Sequence, residues 1–97
     1  MAKAVGTIKA QLQLSGLTNV QAFRIGKFWG VNQAASDSPY YTITHLDSGL
    51  ALIHYVTYRR ACRLVGVLDV LLPYRTHEEV CAIWPGIPPK VRQALLD

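Results

Sequence analysis

Two β-rich runs flank Asp47, Ser48 and Gly49, and a helical pattern closed by Pro73 follows directly. Residues 40–46 and 50–55 are rich in Tyr, Thr, Ile and Leu, so the pair predicts a β-hairpin. A three-residue loop with Gly49 left-handed matches the common type I turn plus G1 bulge. That register pairs Leu46 with Leu50, Thr44 with Leu52, Ile43 with Ile53 and Tyr41 with Tyr55. It gives one core face of Tyr41, Ile43, Ala51, Ile53 and Tyr55. A two-residue turn would pair Ile43 with His54 and Thr44 with Ile53, mixing polar and apolar partners, so the first register is preferred.

Thr57 then serves as N-cap of a helix over residues 57–72. Ala61, Cys62, Leu64, Val65, Leu68, Leu71 and Leu72 recur at helical spacing, with Arg59, Arg60, Arg63 and Asp69 on the other side. Pro73 ends it, because the residue before a proline is pushed out of the α region. Thr76 to Glu79 form a capping box for a short helix to about Trp84, ended by Pro85 and Gly86. Pro88 and Pro89 can start a last short helix over residues 90–96.

Upstream, residues 7–14 alternate as a half-buried strand, with a helix through Val5, Ile8 and Leu12 the weaker reading. Residues 20–32 hold Phe23, Ile25, Phe28, Trp29 and Val31, a β-rich run whose Gly26 and Gly30 suggest a bulge or a close backbone approach. Residues 34–39 form a loop. The expected architecture is α+β. A three- to four-stranded antiparallel sheet, with hairpin 40–55 at its centre, packs against helix 57–72 and is followed by two short helices.

The chain has 97 residues, enough for one domain over residues 1–97. It is 51% hydrophobic and only 16% charged, which excludes a disordered linker or acidic tail. Neither a signal-peptide core nor an apolar run long enough to span a bilayer is visible, so a cytoplasmic protein without membrane contact is expected. In that compartment Cys62 and Cys81 read as small hydrophobes, with a disulfide between them the alternative.

Reaction chemistry finds little support. His45, His54, His77, Cys62 and Cys81 lack metal-ligand spacing, and the preferred register puts His45 and His54 on opposite faces, so no metal site is expected. Ser48 beside Asp47 is explained by turn chemistry, and Glu78 with Glu79 by the helix start. No phosphate-cradling loop occurs. The expectation is a non-enzyme without cofactors, to be revised if a pocket gathers His45 or His54 with a carboxylate.

Binding is the better reading. Net charge is +4, compatible with a polyanionic partner. Arg59, Arg60 and Arg63 make a basic patch at the start of the long helix, while Arg24 and Lys27 accompany Trp29 in the β-rich run. Phe28, Trp29, Tyr40, Tyr58, Tyr74 and Trp84 are too many large aromatics for one small core, which suggests a partner surface or a homodimer. The candidate contact residues are Arg24, Lys27, Trp29, Arg59, Arg60 and Arg63. Their partner is expected to be a protein or nucleoprotein complex, with nucleic acid as the alternative.

Over residues 20–72 the order of sheet then helix resembles the AP2-like domains of plant regulators and phage integrases. That resemblance implies DNA contact through the sheet. The segment from Tyr41 to Ala51, followed by a helix with Ala61, is similar to small phage and mobile-element proteins. Among these are the anti-CRISPR proteins, inhibitors that dock on a host nucleoprotein complex. The resemblance implies a phage-encoded, non-enzymatic inhibitor of a bacterial defence complex, and transfers no binding residue because such inhibitors share no fold.

Overall fold

In the computed structural model, residues 3–12, 16–33, 39–83, 89 and 93 are described. Five strands, β1 (Gly6–Leu12), β2 (Gly16–Ile25), β3 (Trp29–Gln33), β4 (Tyr41–His45) and β5 (Ala51–Val56), precede the helices α1 (Tyr58–Leu71) and α2 (His77–Ile83). Each strand pairs antiparallel with the next, in the order β1-β2-β3-β4-β5. The fold is therefore α+β, as the patterning predicts, but with five strands.

The extra strand comes from the run 20–32. Rather than bulging at Gly26, the chain turns there and returns as β3. The Asp69 carboxylate of α1 accepts the N–H groups of Lys27 at 2.7 Å, Phe28 at 2.9 Å and Trp29 at 3.2 Å. A turn whose donors are satisfied from a distant helix leaves no local signature. With β1 and β2 on its far side, β3 becomes the middle strand and the 40–55 hairpin lies at one edge, not at the centre. Residues 6–12 are strand, which settles the choice between strand and helix there.

The hairpin keeps its left-handed glycine but has a longer loop. Gly49 has φ +74°, Ile43 pairs with Ile53, and the turn is closed by Gly49 N–H to the His45 carbonyl and His45 N–H to the Leu50 carbonyl, both 2.8 Å. The turn therefore spans Leu46 to Gly49, one residue more than expected. Register irregularities on either side of Ile43 pair Thr44 with Ala51 and Tyr41 with Val56. Ala51 consequently leaves the helix side of the sheet, while Leu52 packs against the core there. A buried network stabilises the longer loop: Ser48 donates from Oγ to His45 Nδ1 at 2.8 Å, and Leu50 N–H donates to that Oγ at 3.2 Å.

Helix α1 follows the expectation closely. Thr57 Oγ1 accepts the N–H of Arg60 at 3.3 Å, and the helix ends at Leu71. Ala61, Leu64, Val65 and Leu68 face β3 and β4, forming with Trp29, Val31, Ile43 and Leu72 the main core. In the capping box of α2, Thr76 Oγ1 accepts Glu79 N–H, while the Glu79 carboxylate reaches Arg75 N–H. The helix expected over 90–96 lies mostly outside the described residues, of which Pro89 and Gln93 are helical. No helix among the described residues is long and apolar enough to cross a membrane.

Candidate functional site

The sequence-predicted contact residues separate into three groups. Trp29 belongs to the core: it is 0% exposed, its indole donates to the Leu72 carbonyl at 2.8 Å, and its ring meets the His45 imidazole edge-on. It is therefore no contact residue. Fitting an indole beneath α1 required the β2–β3 turn, so the error follows from missing that turn.

Arg24, Arg59, Arg60 and Arg63 form the second group, and all four are exposed. The Tyr58 hydroxyl donates to the Phe23 carbonyl at 3.2 Å, which brings the start of α1 against this part of β2. Arg24 is near enough for its charge to act on the Tyr58 phenol. Arg59, Arg60 and Arg63 thus lie in the first two turns of α1, whose first turn contains no acidic residue, with Arg24 on the strand that Tyr58 reaches. Lys27 stands apart, with its ammonium over the Phe28 ring and its backbone held by Asp69. At about 1.5 Å per residue, Asp69 lies some 15 Å along the helix from Arg59.

Most of the described aromatics are turned inward. Phe28, Tyr41, Tyr58 and Tyr74 pack against the main core, and Phe23, Tyr41 and Tyr58 make a chain of ring contacts at 5.4 and 5.2 Å. Tyr40 is exposed, and Trp84 lies outside the described residues. The Tyr58 phenol is raised above its ordinary value, first by side-chain hydrogen bonding with Cys62 and then by burial. Cys62 and Cys81 are not bridged. Cys62 is half-buried, and Cys81 is exposed with its thiol 3.2 Å from His77 Nε2.

A cleft beside the β4–β5 turn does gather His45 with a carboxylate, that of Asp47. The imidazole is 1% exposed, however, and both its nitrogens are engaged, Nδ1 with Ser48 and Nε2 with the Tyr74 carbonyl. Asp47 accepts the N–H of His77 at 2.7 Å. These contacts tie the turn to the start of α2. No group of three or more His, Cys, Asp or Glu side chains suited to a metal occurs among the described residues.

The feature sequence reasoning missed lies on the sheet face away from α1. Thr42 and Thr44 alternate with Tyr41 and Ile43 and so read as solvent-facing, yet they are 5% and 0% exposed. The β1–β2 ribbon curls across this face until Gln11 N–H donates to the Gly49 carbonyl at 2.8 Å. Between ribbon and sheet remains a cavity of about 340 Å³. Ala10, Leu12 and Val20 form its ribbon side, and Asn32, Thr42 and His54 its sheet side. The bulge at Phe23, where β2 loses register with β3, lets the ribbon bend. Gly16, which opens β2, has a positive φ. Comparison with protein-family models, with curated proteins and with solved structures finds no match.

Proposed function

We propose that this chain is a non-enzymatic docking module that engages an anionic face of a macromolecular partner, a protein or nucleoprotein complex, through Arg24, Arg59, Arg60 and Arg63. The observation that carries the reading is where these cations sit. The N-terminal end of a helix already bears a partial positive charge, so basic residues there oppose folding. Like charges three and four residues apart repel as well. With no acid in the first turn of α1, Arg59 and Arg63, four residues apart, are placed against local stability. A partner that brings negative charge reverses the sign of both terms.

The sharper form, a phage-type inhibitor of a bacterial defence complex, rests on the sequence resemblance of residues 41–51. A second reading assigns the same arginines to DNA phosphates. The sheet face that an AP2-like domain would present is here concave, and no charged residue is among the described residues lining its cavity, so DNA contact falls to the helix. Titration of a labelled random duplex separates the readings. Phosphate contacts release counterions, so DNA binding should collapse between about 50 and 200 mM salt. Absence of duplex binding at low salt, with capture of a nucleoprotein complex that the triple change of Arg59, Arg60 and Arg63 to Glu abolishes, supports the first. Capture unaffected by that change overturns this surface.

A further inference from the structure

The cavity under the β1–β2 ribbon is independent of the arginine surface, and its walls differ in chemistry. Its ribbon side is mainly apolar, with Ala10, Leu12 and Val20. Its sheet side is polar, with Asn32, Thr42 and His54, and none of the described lining residues is Asp, Glu, Lys or Arg. We propose that this cavity binds a neutral heteroaromatic molecule of about two fused rings, its apolar part against the ribbon and its hydrogen-bonding edge toward Asn32 and Thr42.

Size, charge and preorganisation each point to that class. At about 340 Å³ the cavity falls at the small end of ligand sites. It is roughly twice the ~150 Å³ that accommodates one benzene ring. An ionic ligand would give up its hydration without meeting an opposite charge, a heavy cost, so the ligand is neutral. A purely apolar one would leave unused the hydrogen-bonding capacity that remains on the Asn32 amide and on the Thr42 hydroxyl, which lies 3.4 Å from His54 Nδ1. The polar edge is held in place before any ligand arrives: Thr44 Oγ1 donates to Asn32 Oδ1 at 2.7 Å, and Asn32 Nδ2 donates to the Gln33 carbonyl at 3.3 Å. A flip of the amide would break both bonds. Alanines at positions 10 and 51 keep the space open where larger apolar residues would fill it.

The test is an NMR titration of the isotope-labelled full chain with four probes: purine, indole, naphthalene and 2-naphthoate. The expected result is saturable shifts at the amides of Ala10, Val20, Asn32 and Thr42 for a heteroaromatic probe, with affinity about tenfold above that of naphthalene or naphthoate. Ala51→Leu should abolish these shifts by filling the cavity. Thr42→Val, which keeps shape, should weaken the heteroaromatic about five- to tenfold and leave naphthalene unchanged. If Ala51→Leu fails to fold, Thr42→Val carries the test alone. The proposal is overturned by an absence of saturable shifts with both heteroaromatics, by shifts confined to the α1 arginines, or by equal affinity for naphthalene or naphthoate. An unchanged affinity in Thr42→Val overturns it too.

Discussion

The carboxylate of Asp69, near the end of α1, accepts the backbone N–H of Phe28 at 2.9 Å across 41 residues of chain. The same group holds the N–H of Lys27 and of Trp29, so one side chain satisfies three donors of the β2–β3 turn. It fixes α1 on the sheet and directs the Trp29 indole into the core.

Removing that acceptor should be costly. Hydrogen bonds to a charged group contribute about 1.5–3 kcal/mol each, and three that share an exposed-side carboxylate contribute less than their sum. Asp69→Ala is expected to lose about 2–3 kcal/mol in urea denaturation. Asp69→Asn retains one acceptor oxygen and should lose roughly half as much. Equal stability of Asp69→Ala and the parent chain would show that solvent satisfies the turn.

The glycines at 16 and 49 both have positive φ, 68° and 74°, but differ in their surroundings. A Cβ at Gly16 would meet nothing within 4 Å, whereas at Gly49 it would stand 2.6 Å from Leu17 Cδ1 and 3.2 Å from the backbone of Gln11 and Lys9. Gly16→Ala should therefore cost only the left-handed penalty, about 1 kcal/mol. Gly49→Ala should cost about 2–3 kcal/mol, since it also pushes the β1–β2 ribbon away. Amide exchange should then accelerate at Gln11, whose N–H bonds Gly49. A loss no greater than that at Gly16 would mean the ribbon is not held by this contact.

Tyr58 and Tyr74 confer a pH dependence on the alkaline side. The Tyr58 phenol is raised by its hydrogen bond with Cys62 and by burial, and Tyr74 by burial, from an ordinary value of 10.0. With the folded-state value raised, the unfolded chain loses its phenolic protons first. It then binds fewer protons than the folded chain, so stability is flat below about pH 10 and falls as pH rises beyond it. Tyr58→Phe removes one of the two groups and should make that fall shallower. At neutral pH it should cost about 1 kcal/mol for the lost bond to the Phe23 carbonyl. Urea midpoints measured across the alkaline range check both parts, and an unaltered slope would refute the assignment.

What was legible in the sequence was whatever a local pattern decides. Thr57, the apolar stripe of α1 and Pro73 bound one helix by short-range rules, and Gly49 marks its turn by backbone sterics. What was hidden depends on groups distant in the chain. The β2–β3 turn is satisfied by Asp69, so residues 20–32 look like a single strand. Trp29 looks like a surface aromatic until that turn folds it beneath α1. Thr42 and Thr44 show the alternation of a solvent face, and only the curl of β1–β2 buries them. The basic side of α1 was readable because its arginines share one element. The cavity was not, because its walls come from five strands.

The arginines yield the prediction that separates function from structure. If Arg59, Arg60 and Arg63 serve folding, replacing them with Glu should destabilise the chain. If they are held against local stability for a partner, the same change should do the opposite. Acidic residues near a helix N-terminus gain about 0.3–1 kcal/mol each from the macrodipole, and the mutual repulsion of the cations disappears. Glu at 59 and 60 is therefore expected to raise the melting temperature by a few degrees, about 4–8 °C per kcal/mol for a domain of this size. Binding to an anionic partner should fall in the same variant, and the slope of log affinity against log salt should drop by about 0.9 for each phosphate contact removed. A variant that is both less stable and binding-competent would assign the arginines to packing. One that is more stable and binding-deficient would assign them to the partner.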